Sequence, residues 1–390
     1  MEEPLMKISD SIKYIGVTDT KIDLFEGQYA ALNGITYNSY AIIDEQIAIM
    51  DTVDVHFTQE WKQNLEAALE GRTPDYLIVQ HMEPDHSANI QFFMETWPEA
   101  KLVASAKAFS MIRNFFGTDY GDRGMIVGEG DSLCLGKHEL TFITAPMVHW
   151  PEVIVTYDSH DKVLFSADGF GCFGAPESIE EWIAPGRRYY MAIVSKYGAQ
   201  VQALLKKLAD LDIQKICSLH GSVLDKSVSI CLKLYQTWSS YQPESDGVVI
   251  AYASAYGNTK KAALLLEEYL KKEGCQEIVL YDLARCDLSE AVTDAFRLSR
   301  LVLASPTYNG DVFPFMRTFI EHLTERNYQN RKVALVENGS WAPTAAKVMQ
   351  GMLEKCKTLT FTDTTARILS AVKDEDMKQL EQLAKELCRD

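Results

Sequence analysis

The sequence predicts an α/β protein of two domains: a mixed αβ sandwich over residues 1–245, then a doubly wound five-stranded parallel sheet over residues 246–390. Three observations carry that prediction. A chain of 390 residues exceeds what one ordinary core supports. Strands and helices alternate irregularly before the polar stretch YQPESDG (Tyr241 to Gly247) and regularly after it. Pro243 halts a helical pattern running from about Val223 to Tyr241, and the continuous β-rich run GVVIAYAS follows at once, as in a strand buried on both faces.

In the first part, DYLIVQH reads as a strand, SANIQFFMETW as a helix and KLVAS as a second strand. From Gly124 to Ala167 the pattern is mostly strand, turning at GKHE and DSHDK. A helical segment from about Gly198 to Leu211 precedes the apolar strand KICSL, which ends at His220. In the second part the strands are GVVIAYA, QEIVLYD, RLVLASP, KVALVEN and a weaker one near Ala366 to Leu369. Helices fall between them, the last from about Asp374 to Cys388.

Composition narrows the function. The formal net charge of -17 sets the chain against phosphate backbones and excludes nucleic acid as a partner. No apolar run reaches membrane-spanning length, and MEEPLMKISDS has no signal-peptide core. Eight cysteines stand singly, with no C-x-x-C pair, which fits a reducing cytoplasmic setting.

Six candidate metal ligands sit where strands should run out into loops: His81, Glu83 and Asp85 in HMEPDH, His149 in APMVHW, Asp168 in SADGFG and His220 in SLHG. Three imidazoles and three carboxylates, with no thiolate, suit a hard or borderline metal with open positions better than a closed structural zinc site. In an extended chain His81, Glu83 and Asp85 point to one side, and His86 faces away as a supporting neighbour. The two oxygens of Asp168 allow it to bridge two metals. Trp150 either narrows the pocket or packs under Pro151, and packing is favoured. His56, His138, His160 and His322 have no such partners and are assigned to surface or core.

A second constellation follows the strands of the second part. Ser254, Tyr256, Gly257, Asn258 and Thr259 lie where the strand GVVIAYA gives way to a helix starting near Lys260, a place suited to a phosphate group. Pro306, Thr307, Tyr308, Asn309 and Gly310 follow RLVLA, and Asn338, Gly339, Ser340 and Trp341 follow KVALV. Such loops surround the crevice at the carboxyl ends of a parallel sheet. Tyr308 and Trp341 suit the faces of a flat aromatic ring.

The string HxExDH, with HWP at His149, SADxFG at Asp168 and HG at His220, resembles the metallo-β-lactamase-like domain of the flavodiiron proteins. Hydrolases of that fold show HxHxDH and bind zinc; Glu83 stands where their second His would be. The three loops of the second part resemble those of flavodoxins. The resemblance covers nearly the whole chain, although GSVLD after His220 and NGSWAPTA in the third loop depart from common family forms. It implies an N-terminal metallo-β-lactamase-like αβ/βα sandwich followed by a flavodoxin-like doubly wound five-stranded parallel sheet. It also implies FMN and two Fe as cofactors: His81, Glu83 and His149 on one iron, Asp85 and His220 on the other, Asp168 between.

The activity so implied is reduction of O2 to water, of NO to N2O, or both, with electrons entering through FMN from rubredoxin or a similar small carrier. No cysteine-rich segment follows the last helix, so a separate carrier is expected. Lys260 and Lys261 are a weak candidate for steering it. A head-to-tail homodimer, or a dimer of dimers, is expected to bring the FMN of one subunit to the metals of another. Two rival readings remain: a zinc-dependent thioesterase or lactonase fused to a flavodoxin, and an electron-transfer module whose metal is only structural.

Overall fold

The computed structural model describes residues 5–389, which divide into two compact units, Met1–Gln236 and Thr237–Asp390. The division falls within the helix Val228–Ser239, which lies just before the polar stretch Tyr241 to Gly247.

The first unit is a sandwich of two sheets. One has six strands in the order Ile12–Tyr14, Tyr40–Ile43, Ile47–Met50, Tyr76–Val79, Lys101–Ala104 and Gly124–Ile126; the first two pairings are antiparallel and the rest parallel. The other has five, Ser132–Cys134, Glu139–Thr144, Ile154–Asp158, Val163–Phe165 and Lys215–Cys217, antiparallel except for the last pair. Strand periodicity explains the packing. In Ile47–Met50, Ala48 and Met50 join Ile42, Ile78, Phe142 and Phe165 between the sheets, whereas Ile47 and Ile49 pack outward with Trp61, Leu65 and Phe93. With both faces covered, every residue of that strand is buried. The helices Thr58–Leu69, Ile90–Thr96 and Ala106–Phe116 supply the outer layer.

The expected helix over SANIQFFMETW (Ser87 to Trp97) starts later, at Ile90, and ends at Thr96, and a separate helical turn, Pro84–Ser87, precedes it. Small paired strands near the N-terminus, Val17–Asp19 with Ile35–Tyr37 and Leu24–Phe25 with Tyr29–Ala30, carry too few residues to show a period.

The second unit is a parallel sheet in the order Ile278–Asp282, Ser245–Tyr252, Leu298–Tyr308, Lys332–Asn338. Beyond it the fifth position is shared by two short pieces, Thr360–Phe361 and Ala366–Ile368, both paired with Lys332–Asn338. That is the 2-1-3-4-5 order of a flavodoxin-like sheet. Val248, Ile250, Val302 and Ala334 pack beneath the helices Asn258–Lys272 and Asp374–Cys388. Among the described residues, no helix is long and apolar enough to cross a membrane.

Candidate metal centre and flavin site

Every predicted metal ligand lies at the same end of the sandwich. His81 follows the strand Tyr76–Val79, and the carboxylate of Asp51, at the end of the neighbouring strand, accepts the Gln80 and His81 N–H groups at 2.7 and 3.3 Å. Glu83 is extended at φ -61, ψ 139, so it shares a side with His81 as expected. At Pro84 the chain turns helical, and the extended reading fails there. One helical turn brings Asp85 and His86 in together, so His86 does not face away: its Nε2 lies 3.1 Å from His220 Nε2 and 3.3 Å from Asp85 Oδ2.

The side chains form two sets. His81, Glu83, His149 and Asp168 make one; Asp85, His86 and His220 make the other. Glu83 Oε2 lies 3.2 Å from His81 Nε2 and 3.1 Å from His149 Nε2, and Asp168 Oδ2 lies 3.0 Å from His149 Nε2. The other oxygen of Asp168, Oδ1, sits 3.3 Å from His86 Nε2 and 3.8 Å from His220 Nε2. One carboxylate therefore addresses both sets. Positive φ at Ala167 and Phe170 bends the chain around it.

The outer nitrogens of two of the imidazoles are anchored. His81 Nδ1 lies 2.8 Å from Glu152 Oε1, which also accepts the Met82 N–H at 2.8 Å, and His220 Nδ1 lies 2.7 Å from the Thr36 carbonyl oxygen. Acceptors at Nδ1 put the proton there and leave Nε2 facing inward with a lone pair. Gly221 is required beside His220. Its φ is 84°, and a Cβ would collide with Cys172 Sγ.

The electrostatics call for a cation. Burial alone would raise the Asp168 pKa, yet the imidazoles of His81, His149 and His86 hold it well below the usual carboxylate range. Burial disfavours charge on His149, but Asp168 and Glu83 lift its pKa to about 9; His81 is lifted well above the histidine range in the same way, chiefly by Asp168. Asp85 Oδ1 and Oδ2 and Asp168 Oδ1 are buried without a hydrogen bond. Buried oxygens in that condition, facing imidazole nitrogens rather than amides, fit metal ions.

Sequence reasoning missed four supporting residues. Glu152 and Asp51 hold His81, and Asn38 clamps the Ser218 and Gly221 carbonyls at 2.8 Å each. The Tyr189 hydroxyl is buried without a partner; the ring lies 5.5 Å from that of His220, and Asp168, Glu83 and Asp85 act on it electrostatically. None of the four stands in a local motif that marks it in the sequence. The ring of Trp150 stands edge-on to that of His81 at 5.2 Å, so it packs on a ligand. His138 lies in the core, within the surface-or-core assignment, but it does have partners, Asp158 and Ser11.

In the second unit, Gly257 caps the helix Asn258–Lys272 at φ 90° and donates its N–H to Ser254 Oγ. The helix starts two residues earlier than expected, at Asn258, which places Asn258 and Thr259 in its first turn. Pro306, Thr307 and Tyr308 continue a strand, and Asn309 and Gly310 turn it at φ 52° and 75°. Thr307 Oγ1 accepts the Thr344 and Ala345 N–H groups, and Ser340 Oγ pairs with Ser370 Oγ. Tyr256, Tyr308 and Trp341 are 96%, 47% and 83% exposed. Three uncovered aromatics beside a helix N-terminus at the carboxyl edge of the sheet fit a flat, phosphate-bearing ligand.

Residues 35–221 match the ODP family beta lactamase, and residues 249–373 match a flavodoxin domain. The chain is 27% identical to a nitric oxide reductase of Moorella thermoacetica, across 99% of this chain and 98% of that one. Its structure resembles the rubredoxin oxygen:oxidoreductase of Desulfovibrio gigas with a TM-score of 0.93 at 25% identity, covering 99% and 98% of the two chains. It shares the fold of the flavodiiron protein of Giardia intestinalis, with a TM-score of 0.92 at 23% identity over 99% and 97%. The flavodoxin domain implies FMN, and the His/Asp/Glu cluster fits a di-iron centre.

Proposed function

We propose, from the premise that this chain belongs to the flavodiiron proteins and is an oxidoreductase, that it reduces a diatomic gas, O2 or NO, with electrons received through FMN from a small carrier such as rubredoxin. The observation that carries this reading is the carboxylate of Asp168, whose two oxygens face two separate sets of imidazole and carboxylate groups. The named relatives are reductases, and Glu83 supplies oxygen where a zinc hydrolase of this fold has nitrogen, so the hydrolase reading is not favoured.

His81, Glu83 and His149 would hold one iron, Asp85 and His220 the other, with Asp168 shared. His86 joins the second set in this reading. Two imidazole nitrogens 3.1 Å apart either share a proton or face one cation, and the unpartnered Asp85 oxygens favour the cation. Iron would supply open positions for a diatomic gas and change charge by single electrons, and FMN would pass on electrons one at a time from a one-electron carrier. Glu152 and the Thr36 carbonyl keep the His81 and His220 protons on Nδ1. The Tyr189 hydroxyl, buried without a hydrogen bond on a ring beside His220, would be a free donor near the second set. Phe25, 5.2 Å from His220 ring to ring, limits water over the second set.

Tyr256, Tyr308 and Trp341 would cover the isoalloxazine, and Ser254, Asn258 and Thr259 would bind the phosphate. A head-to-tail homodimer is the expected assembly, and the cytoplasm the expected location. All eight cysteines are free, in keeping with a reducing compartment. The test is steady-state turnover of O2 and of NO, each added to an otherwise anaerobic assay with a chemically reduced rubredoxin as electron donor, iron and FMN being quantified in the same sample. Consumption of either gas in proportion to iron content is expected. Iron- and FMN-replete protein that consumes neither gas overturns the proposal.

A further inference from the structure

We propose that the end of the sandwich opposite the iron centre carries an exchangeable site for a divalent transition-metal ion of the zinc class, built on His138 and Asp161 with Ser11. The turns before Glu139 and after Asp158 lie at one end of the second sheet. His149 and Asp168 leave it at the other. A five-residue strand, Ile154–Asp158, separates them, about 15 Å at ~3.3 Å per residue.

His138 is 1% exposed, and its Nδ1 lies 2.9 Å from Asp158 Oδ2. Asp158 also accepts the His160 and Asp161 N–H groups at 3.1 and 3.2 Å, so it is an acceptor and puts the imidazole proton on Nδ1. Nε2 then turns its lone pair toward Ser11 Oγ at 2.7 Å, and that hydroxyl donates its one proton to Asp161 Oδ2 at 3.3 Å, so two lone pairs face each other where a cation would sit. A carboxylate on one imidazole nitrogen, with the lone pair of the other turned toward oxygen ligands, is the arrangement that orients metal-binding histidines. It is also how Glu152 holds His81. Ligand atoms of His138, Asp158 and Asp161 all lie within 4.8 Å of one another. A cavity of about 740 Å³ opens beside them, bordered by Asp10, Asp44, Asp161 and His160 as well as Lys7 and Lys137. The His160 ring is 4.7 Å from that of His138, within reach as a further nitrogen ligand.

Ser11, His138 and Asp158 also have the hydrogen-bond order of a hydrolytic triad. Acyl transfer needs a developing negative charge beside the serine to be stabilised. Asp161, 3.3 Å from Ser11 Oγ, opposes that charge and favours a cation instead. An imidazole with carboxylates suits zinc-class ions. The bound ion would tie Ser11, at the start of the edge strand of one sheet, to two turns of the other.

The test is calorimetric titration of the iron- and FMN-loaded protein with Zn2+, with iron content measured before and after and a thermal melt in parallel. One equivalent of Zn2+ taken up without loss of iron, with a raised Tm, is expected. His138→Gln should weaken that uptake about tenfold or more, as should Asp161→Asn, which leaves the buried His138–Asp158 pair intact. No added equivalent, uptake only as iron leaves, uptake unchanged in Asp161→Asn, or fluorophosphonate labelling of Ser11 would each overturn the proposal.

Discussion

The anchor of His81 is the most exacting place to test how this chain grips iron. Glu152 is 2% exposed, and a single oxygen, Oε1, accepts from both His81 Nδ1 and the Met82 N–H at 2.8 Å. Its other oxygen is buried without a hydrogen bond. Glu152→Gln can therefore keep both bonds through its amide oxygen while it removes the charge and puts an N–H2 group in place of the unpartnered oxygen, whereas Glu152→Ala leaves two buried donors without acceptors. An unsatisfied buried donor costs about 1–3 kcal/mol. Loss of the partner behind a metal-binding histidine typically costs about 10–100-fold in affinity, or about 1.4–2.7 kcal/mol. Glu152→Ala is expected near the top of that range and Glu152→Gln near or below the bottom. Iron retained after dialysis against a graded chelator series reads the difference, with FMN content as the internal control. If Ala and Gln behave alike, or if neither loses iron, Glu152 does not fix the His81 tautomer.

Four further expectations follow from the same coordinates. Glu83→Ala removes the carboxylate shared by His81 and His149 and should abolish gas turnover with the flavin spectrum intact; retained turnover refutes the ligand assignment. Gly221→Ala imposes a left-handed φ, costing about 1–2 kcal/mol, plus a collision with Cys172. It should lower Tm, and Cys172→Ala should restore only the steric part in a double-mutant cycle. Trp341→Ala should weaken FMN binding about two- to tenfold, since an aromatic pair contributes about 0.5–1.5 kcal/mol beyond its buried area, read as flavin fluorescence released on dilution. Burial disfavours the His138 imidazolium, but Asp158, Asp161 and Asp44 raise its pKa. Its stabilising contribution is thus complete below an unfolded pKa of about 6.5 and fades as pH rises through the folded value. In chelator, the Tm gap between wild type and His138→Gln should narrow on the alkaline side; a gap independent of pH refutes the assignment.

The second unit was legible because its strands are long and apolar and its helices fall regularly between them. The last strand resisted because it is split into Thr360–Phe361 and Ala366–Ile368, each too short to display a period. The same limit hid the hairpin Leu24–Phe25 with Tyr29–Ala30, which contributes Phe25 beside His220. Burial on both faces erases alternation, so Ile47–Met50 reads as a plain apolar run although its two faces serve different layers.

At the candidate site, the six candidate ligands could be picked out because each comes after a strand, and strand ends gather residues that are distant in sequence. The misplacement of His86 is instructive, since the sequence did contain the warning. Pro84 takes the first position of the helix Pro84–Ser87, where proline is favoured, so a two-residue period had no right to continue beyond Glu83. Partners such as Glu152, 71 positions from His81, leave no local pattern at all. Those unseen partners decide the chemistry as much as the ligands do. An imidazole with a free choice of tautomer offers its lone pair on either nitrogen, and inward convergence of three Nε2 atoms requires that choice to be removed. Glu152 and the Thr36 carbonyl remove it for His81 and His220. His86 Nδ1 is buried without a hydrogen bond, so its orientation rests on packing and on whatever its Nε2 binds. His86 should accordingly be the ligand whose position depends most on the ion itself.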